Sequence, residues 1–250
     1  MYMSKKNNIY IKKAKRRRFI RKLFISILVF IIIGGILIFK TNFFIINKVE
    51  CSGDNLLTKD YILEKTESLK GENIFSVNQS SIEKLLMENP YVKTISLKKK
   101  FPKSLVIDVT ESSGLYYIGS EGDYSIISKE LVLLEKVTSV EGKGLIEIKG
   151  IDITGKNIGD KIDENTRIEH LLEEFYKEEE VIRENGEGFS ITAIEIKDLS
   201  QIKSYINQIE VRLGNDENIR TKMSNAIKVY KSGLVTEYIN VSFDGSPHYK

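Results

Sequence analysis

The strongest pattern along the chain is an unbroken apolar run, Leu23 to Phe39 (LFISILVFIIIGGILIF), bracketed by Lys22 and Lys40. At 1.5 Å per helical residue it reaches roughly 25 Å, enough to cross a bilayer with the two lysines snorkelling to the headgroups. The run therefore predicts a transmembrane helix. A cleaved leader would need a short basic lead and small residues at its cleavage site. Here the lead is 22 residues long and no alanine lies between Leu23 and Ile46. No later segment approaches this length, so a single crossing is expected.

Beyond the run, short β-patterned and helical stretches alternate. Phe43 to Cys51 is rich in β-formers, and Ser52-Gly53-Asp54-Asn55 predicts a turn. Thr58 is placed as the N-cap of a helix through Ser68, stopped by Gly71. Ser80 with Glu83 predicts a capping box for a second helix, in which Ile82, Leu85 and Leu86 share a face before Pro90. Val92–Lys99 and Ser104–Thr110 predict a hairpin around Phe101-Pro102-Lys103, with Leu105, Ile107 and Val109 alternating against Val106, Asp108 and Thr110. The order is β-α-α-β-β.

From Ser113 onward the chain is mostly β. Tyr116–Ile118, Tyr124–Ile127, Leu131–Leu134, Leu145–Ile148, Ile191–Ile196 and Ile209–Leu213 predict short strands. Two amphipathic helices interrupt them, one marked by Ile168, Leu171, Leu172, Phe175 and Ile182, the other by Ile219, Met223, Ala226, Ile227 and Tyr230. In the last element, Val235, Ile239, Val241 and Phe243 alternate with Thr236, Tyr238, Asn240 and Ser242. If this strand lies at a sheet edge, its free backbone groups can pair with a partner's strand. The pattern is equally compatible with an inner strand.

Charge sharpens the topology. The chain has 38 basic and 35 acidic residues, yet residues 1 to 22 hold ten bases and no acid, leaving 28 bases against 35 acids in the rest. Positive charge before the helix, notably Arg16, Arg17, Arg18, Arg21 and Lys22, places the N-terminus in the cytoplasm and the body outside. Tyr2 and Tyr10 within the tail could stack on nucleic acid, but beside a membrane such a cluster sets topology and holds anionic lipid, so no nucleic-acid partner is expected.

Catalytic signatures are missing from the sequence. His170 falls among Arg167, Glu169, Glu173 and Glu174 on a helix, His248 lies near the end of the chain, and neither has a nucleophile motif nearby. The lone Cys51 predicts a half-buried filler and excludes an internal disulfide or a Cys-rich zinc site. Glu173-Glu174 and Glu178-Glu179-Glu180 are assigned to the solvated face of their helix, and no nucleotide-binding motif occurs. Lys98-Lys99-Lys100 with Lys103 could touch wall polymer or lipid headgroups, or simply keep a hairpin soluble. No catalytic residue, metal or cofactor is predicted.

These elements, in this order, resemble the FtsQ/DivIB family of bacterial cell-division proteins over nearly the whole chain. In the first module the likeness rests on Val49-Glu50-Cys51-Ser52-Gly53-Asp54-Asn55, Gly71-Glu72-Asn73-Ile74-Phe75, Pro90-Tyr91-Val92, and Phe101-Pro102-Lys103-Ser104-Leu105 running into Val109-Thr110-Glu111. In the second it rests on Tyr124-Ser125-Ile126-Ile127, Leu213-Gly214-Asn215-Asp216-Glu217-Asn218-Ile219, Lys222, and Tyr238-Ile239-Asn240-Val241-Ser242-Phe243 with Pro247 and Tyr249. Asn240 stands where the family often has Asp, and the glutamate-rich helix over 166–185 is not diagnostic.

The resemblance implies an α+β protein: a basic tail (1–22), a transmembrane helix (23–42), a POTRA domain (43–112), a β domain with two amphipathic helices (113–244) and a short tail (245–250). It implies a non-catalytic scaffold at the division septum, bound outside the plasma membrane to FtsL-type and FtsB/DivIC-type partners and, directly or through them, to the septal peptidoglycan synthase. Relatives accept a partner strand on the last strands of the second domain, which implicates Tyr238, Asn240, Ser242 and Phe243. A POTRA-bearing transport or secretion component is the alternative, though it would be expected to carry several modules or a membrane barrel. An anchored wall hydrolase would need convergent carboxylates in a cleft.

Overall fold

The computed structural model of the chain describes residues 4–54, 57–243 and 245–250. Tyr2, Asn55 of the first predicted turn, and Asp244 lie outside the described residues. Helix α1 (Ser4–Lys40) takes in the basic lead and the apolar run as one continuous helix. Its Lys15–Lys40 stretch is long and apolar enough to cross a membrane, with a mean hydropathy of 2.8 over its apolar 18-residue window. Phe24 and Phe30 are about three-quarters exposed (75% and 76%), so the helix presents an apolar surface all round. The chain forms two compact units, one taking in α1, reaching to Leu85 and including Ile95–Val109, the other made of Leu86–Thr94 and Thr110–Lys250.

The first unit contains β1 (Lys48–Asp54), α2 (Lys59–Thr66), α3 (Gln79–Leu86) and most of β2 (Val92–Lys100) and β3 (Ser104–Glu111). The sheet order is β1-β3-β2. The interior is made by Ile46, Ile62, Leu69, Ile74, Ile82, Leu105 and Ile107, all buried. Three local expectations shift. Asn42–Phe44 form a 3-10 turn, so the first strand starts at Lys48 rather than Phe43. It then continues through Ser52–Asp54, because the Ser52 hydroxyl donates to Asp108 (3.0 Å) and Gly53, at φ +98°, lets the backbone lie against Val109. A Cβ there would sit 2.3 Å from the Val109 carbonyl oxygen. The cap of α3 is Asn78, whose carboxamide oxygen accepts from the Ser81 N–H (3.3 Å), and Ser80 lies one residue inside the helix.

The second unit is a nine-stranded sheet backed by two helices. In chain order come β4 (Gly114–Ser120), β5 (Asp123–Ser128), β6 (Leu133–Val137), β7 (Ile146–Lys149), α4 (Thr166–Glu184), β8 (Ile191–Glu195), β9 (Ile202–Ile206), β10 (Ile209–Gly214), α5 (Ile219–Lys231), β11 (Tyr238–Asn240) and β12 (His248–Tyr249). Across the sheet the order is β12-β11-β10-β9-β8-β7-β4-β5-β6. Strand β6 begins two residues later than predicted, because Leu131 adopts a left-handed conformation (φ +63°) in the preceding turn. Strand β9 is missing from the sequence reading: Ser204, fully buried, sits at the centre of its inward row and donates to the Met223 sulfur at 3.3 Å.

Leu171, Leu172 and Phe175 of α4 and Met223 and Ala226 of α5 are buried in one continuous apolar core with the sheet. Tyr116 joins it fully buried, its hydroxyl donating to the Leu172 carbonyl at 2.5 Å. The acidic run of α4 departs from expectation, since Glu178 and Glu179 are buried. Glu179 accepts from the Ile191 N–H (2.7 Å) and Arg183 (2.9 Å), tying α4 to β8. Glu178 accepts from Arg220 (3.2 Å), tying α4 to α5, while burial pushes its carboxyl above the ordinary value against that guanidinium. These carboxylates are fasteners, which is why they leave the solvated face.

At the N-terminus of α4, Arg167 makes a two-pronged contact with Asp216 in the β10–α5 loop (2.9 and 2.7 Å), and this holds the Asp216 carboxyl below its usual range. A depressed folded-state pKa contributes stability above the unfolded value near ~4, and that contribution disappears as pH falls through the folded value. Arg167→Met should therefore lower stability at pH 7, by an amount that solvent screening of the exposed guanidinium keeps small. It should also flatten the acid limb of the stability curve relative to the parent, as measured by denaturant titrations from pH 7 down to ~2.

Candidate partner-docking edge

The C-terminal half of the sheet brings the predicted contact residues together in a definite register. Ile148, Ile194, Ser204, Val211 and Ile239 lie side by side on the helix-covered face. On the opposite face, one row runs Glu147, Ala193, Tyr205, Glu210, Tyr238 and a second runs Lys149, Glu195, Lys203, Arg212, Asn240, His248. Neighbouring positions on these rows interact. Arg212 bonds Glu210 (2.6 Å) and lies 4.0 Å over the Tyr238 ring, Lys203 reaches Glu210 (3.3 Å), and Lys149 lies 5.4 Å over Tyr205. Burial pushes the Glu210 carboxyl up, but the bonds from Arg212 and Lys203 outweigh it and hold it below the ordinary value. Tyr238 and Asn240 thus sit on a half-buried, charge-balanced face.

The edge itself differs from the simple pattern. Only Tyr238–Asn240 form strand β11, with Ile239 (0% exposed) and Val241 (4%) inward, whereas Phe243 is 41% exposed and leaves the alternation. The cause is local. The Asn240 side chain accepts from both the Ser242 N–H (3.1 Å) and the Ser242 hydroxyl (2.8 Å), turning the chain away from the ladder. Nor is β11 outermost. It runs parallel to β10 on one side and antiparallel to β12 on the other.

The six residues taken as a trailing tail therefore occupy the edge position. The Lys250 N–H donates to the Tyr238 carbonyl (3.1 Å), and the N–H groups of Thr236 (2.9 Å), Glu237 (2.7 Å) and Tyr238 (3.3 Å) converge on the Lys250 carbonyl. Lys250 also pairs with Glu237 (3.0 Å), and Phe243 packs edge-on against His248 (4.9 Å between ring centres). Beside this edge lies an open depression of about 460 Å³ lined by Lys203, Arg212, Gly214, Asn215, Asn240 and Ser242.

The remaining candidate residues lie elsewhere. Arg16, Arg17, Arg18, Arg21 and Lys22 are exposed on α1. Cys51 is half-buried in β1, and His170 is exposed on α4. Lys98 pairs with Asp108 (2.9 Å) and Lys99 reaches the Val77 carbonyl (3.4 Å). Among the described residues no group of three or more His, Cys, Asp or Glu side chains could hold a metal ion. What the sequence reading missed is β12 and the cationic partner of Tyr238, Arg212. Tyr249 and Pro247 were visible as matched positions, but nothing local signals a two-residue strand.

Two family models match most of the folded part of the chain. One described as "POTRA domain, FtsQ-type" covers residues 44–112, and one described as "Cell division protein FtsQ/DivIB, C-terminal" covers residues 116–242. The chain belongs to the FtsQ/DivIB family. It is an α+β member, with a POTRA domain and a β-rich C-terminal domain following the apolar helix. The Cell division protein DivIB of Clostridium botulinum (strain Hall) is 29% identical over 243 residues, 95% of this chain and 94% of its own. That of Clostridium acetobutylicum is 30% identical over 213 residues, covering 84% of each. A more distant relative, the Cell division protein FtsQ of Corynebacterium glutamicum, is 23% identical over half of this chain and 56% of its own length.

One position braces the docking edge within this family fold. Gly214, at φ +71°, ends β10 where an added Cβ would lie 2.9 Å from the Ser242 Cβ and 3.2 Å from its carbonyl oxygen. Gly214→Ala should cost about 1–3 kcal/mol through left-handed strain and crowding. In denaturant titrations and amide exchange the loss should appear with faster exchange at Val241 and Ser242, whose backbone is displaced.

Proposed function

We propose that the protein is a non-catalytic, single-pass scaffold of the division machinery that captures a strand from an FtsB/DivIC-type partner at the C-terminal sheet edge. Family membership supports the division role. The observation that carries the docking mode is β12: a strand of only two exposed residues occupies the position an added strand would take, which makes it replaceable. The incoming strand takes the place of β12 and pairs with Tyr238–Asn240, while Arg212 and Tyr238 frame its side chains on the open face. The ten basic residues ahead of α1's apolar run keep the N-terminus in the cytoplasm and both folded units outside. FtsL-type partners join the same assembly, and septal peptidoglycan synthesis is influenced through it.

Depletion should give filamentous cells, and restoration should require an intact edge. In co-purification with the FtsB/DivIC-type partner, removal of residues 247–250 should raise affinity by freeing β11. Asn240→Pro, which deletes a ladder donor, should reduce partner capture at least about tenfold. Weaker binding by the truncated chain would show that the partner adds outside β12 instead of replacing it. Normal septation after depletion would remove the division role altogether.

A further inference from the structure

Where α1 meets the first unit, five phenylalanines converge. Phe39, the last apolar residue of α1, lies edge-on to Phe75 with ring centres 6.4 Å apart. Phe75 meets Phe44 edge-on (5.1 Å) and stacks on Phe101 of the β2–β3 turn (5.1 Å), and Phe43 meets Phe44 (5.0 Å). The backbone fixes the arrangement. The Asn73 carboxamide donates to the Ile38 carbonyl of α1 (2.7 Å). The N–H of Ile46 bonds Glu72 (2.9 Å), that of Ile74 bonds Phe44 (2.9 Å), and that of Asn47 bonds Lys103 (2.9 Å).

This is not a buried core. Phe39, Phe43, Phe75 and Phe101 remain 60%, 59%, 40% and 54% exposed, so the rings form a continuous apolar surface facing outward. Its position identifies what covers it. If α1 crosses the bilayer, Phe39 marks the level at which the helix leaves the acyl chains, and rings within one or two contacts of it lie at the headgroup boundary. The charges beside it are of one dominant sign: Lys40 and Lys100 are exposed, Lys103 is half-buried, and the nearby Glu50 is already paired with Lys48 at 2.7 Å. Glu72 is the exposed acid of the adjoining segment.

We propose that this surface docks on lipid. Phe43, Phe75 and Phe101 wedge into the outer-leaflet boundary, and Lys40, Lys100 and Lys103 contact anionic headgroups. The Phe101-Pro102-Lys103 turn is thereby a membrane contact rather than a solvated hairpin tip. The inference rests on the single-crossing reading of α1, and the test separates the two.

The chain has no tryptophan, so each substitution introduces a sole reporter. Full-length Phe101→Trp, Phe30→Trp and Leu57→Trp chains would be reconstituted into phosphatidylcholine vesicles with and without phosphatidylglycerol, using lipids brominated at shallow or deep acyl positions. Leu57 follows the far end of β1, whose six residue steps from Lys48 to Asp54 span roughly 20 Å. Phe101→Trp should be blue-shifted and lose most of its emission to shallow bromines, Phe30→Trp should be quenched by deep bromines, and Leu57→Trp by neither. Adding Lys100→Glu and Lys103→Glu to Phe101→Trp should abolish the extra quenching that phosphatidylglycerol confers. Quenching of Phe30→Trp with Phe101→Trp behaving like Leu57→Trp overturns the lipid-docking surface and leaves the anchor standing. An unquenched Phe30→Trp overturns the anchor and the docking surface with it.

Discussion

An open β-sheet must end somewhere, and its last strand presents a row of N–H and C=O groups that need a partner or water. In this chain that constraint shapes the whole second unit. Packing α4 and α5 on one face of a nine-stranded sheet buries the apolar row from Ile148 to Ile239 and fixes the register of every strand up to β11. The edge is then closed by the chain itself through the convergence of three N–H groups on the Lys250 carbonyl. A strand so short has few contacts holding it, so the element that satisfies the edge is also the one most easily exchanged.

The same economy of contact governs the membrane end. The first unit is held to α1 by ring contacts around Phe75 and by the bond from Asn73 to Ile38, with no long linker between the apolar helix and the first folded segment. Where that helix crosses a bilayer, a domain tied this closely to its end has one of its surfaces beside lipid. The two ends therefore differ in kind. In the proposed docking, exposed phenylalanines and lysines near α1 meet a fluid surface, whereas β11 offers backbone hydrogen-bonding capacity in a fixed register.

Much of this was legible in the sequence where periodicity is long. The apolar run of α1, the stripes of α4 and α5, and the Leu105-Ile107-Val109 alternation all became the elements they predicted, because burial on one face demands those spacings. The illegible parts depend on distant residues. Strand β9 hides because Ser204 takes an inward position that the Met223 sulfur makes acceptable. Glu178 and Glu179 look like surface charge until Arg220 and the Ile191 N–H meet them. At the docking edge, alternation put Tyr238 and Asn240 on one face, and the family resemblance marked them as contacts. The departure of Phe243 follows from the Asn240 side chain, and β12 exists only because the chain returns to pair with β11.

The exchange of one strand for another at this edge is tested most directly by amide hydrogen exchange on the full-length protein, with and without the FtsB/DivIC-type partner. Strand replacement requires that binding slow exchange across Tyr238–Asn240 while the Tyr249 and Lys250 amides lose whatever protection they had. Unchanged exchange at Tyr238–Asn240 in a saturated complex, with protection appearing elsewhere in the chain, would contradict it.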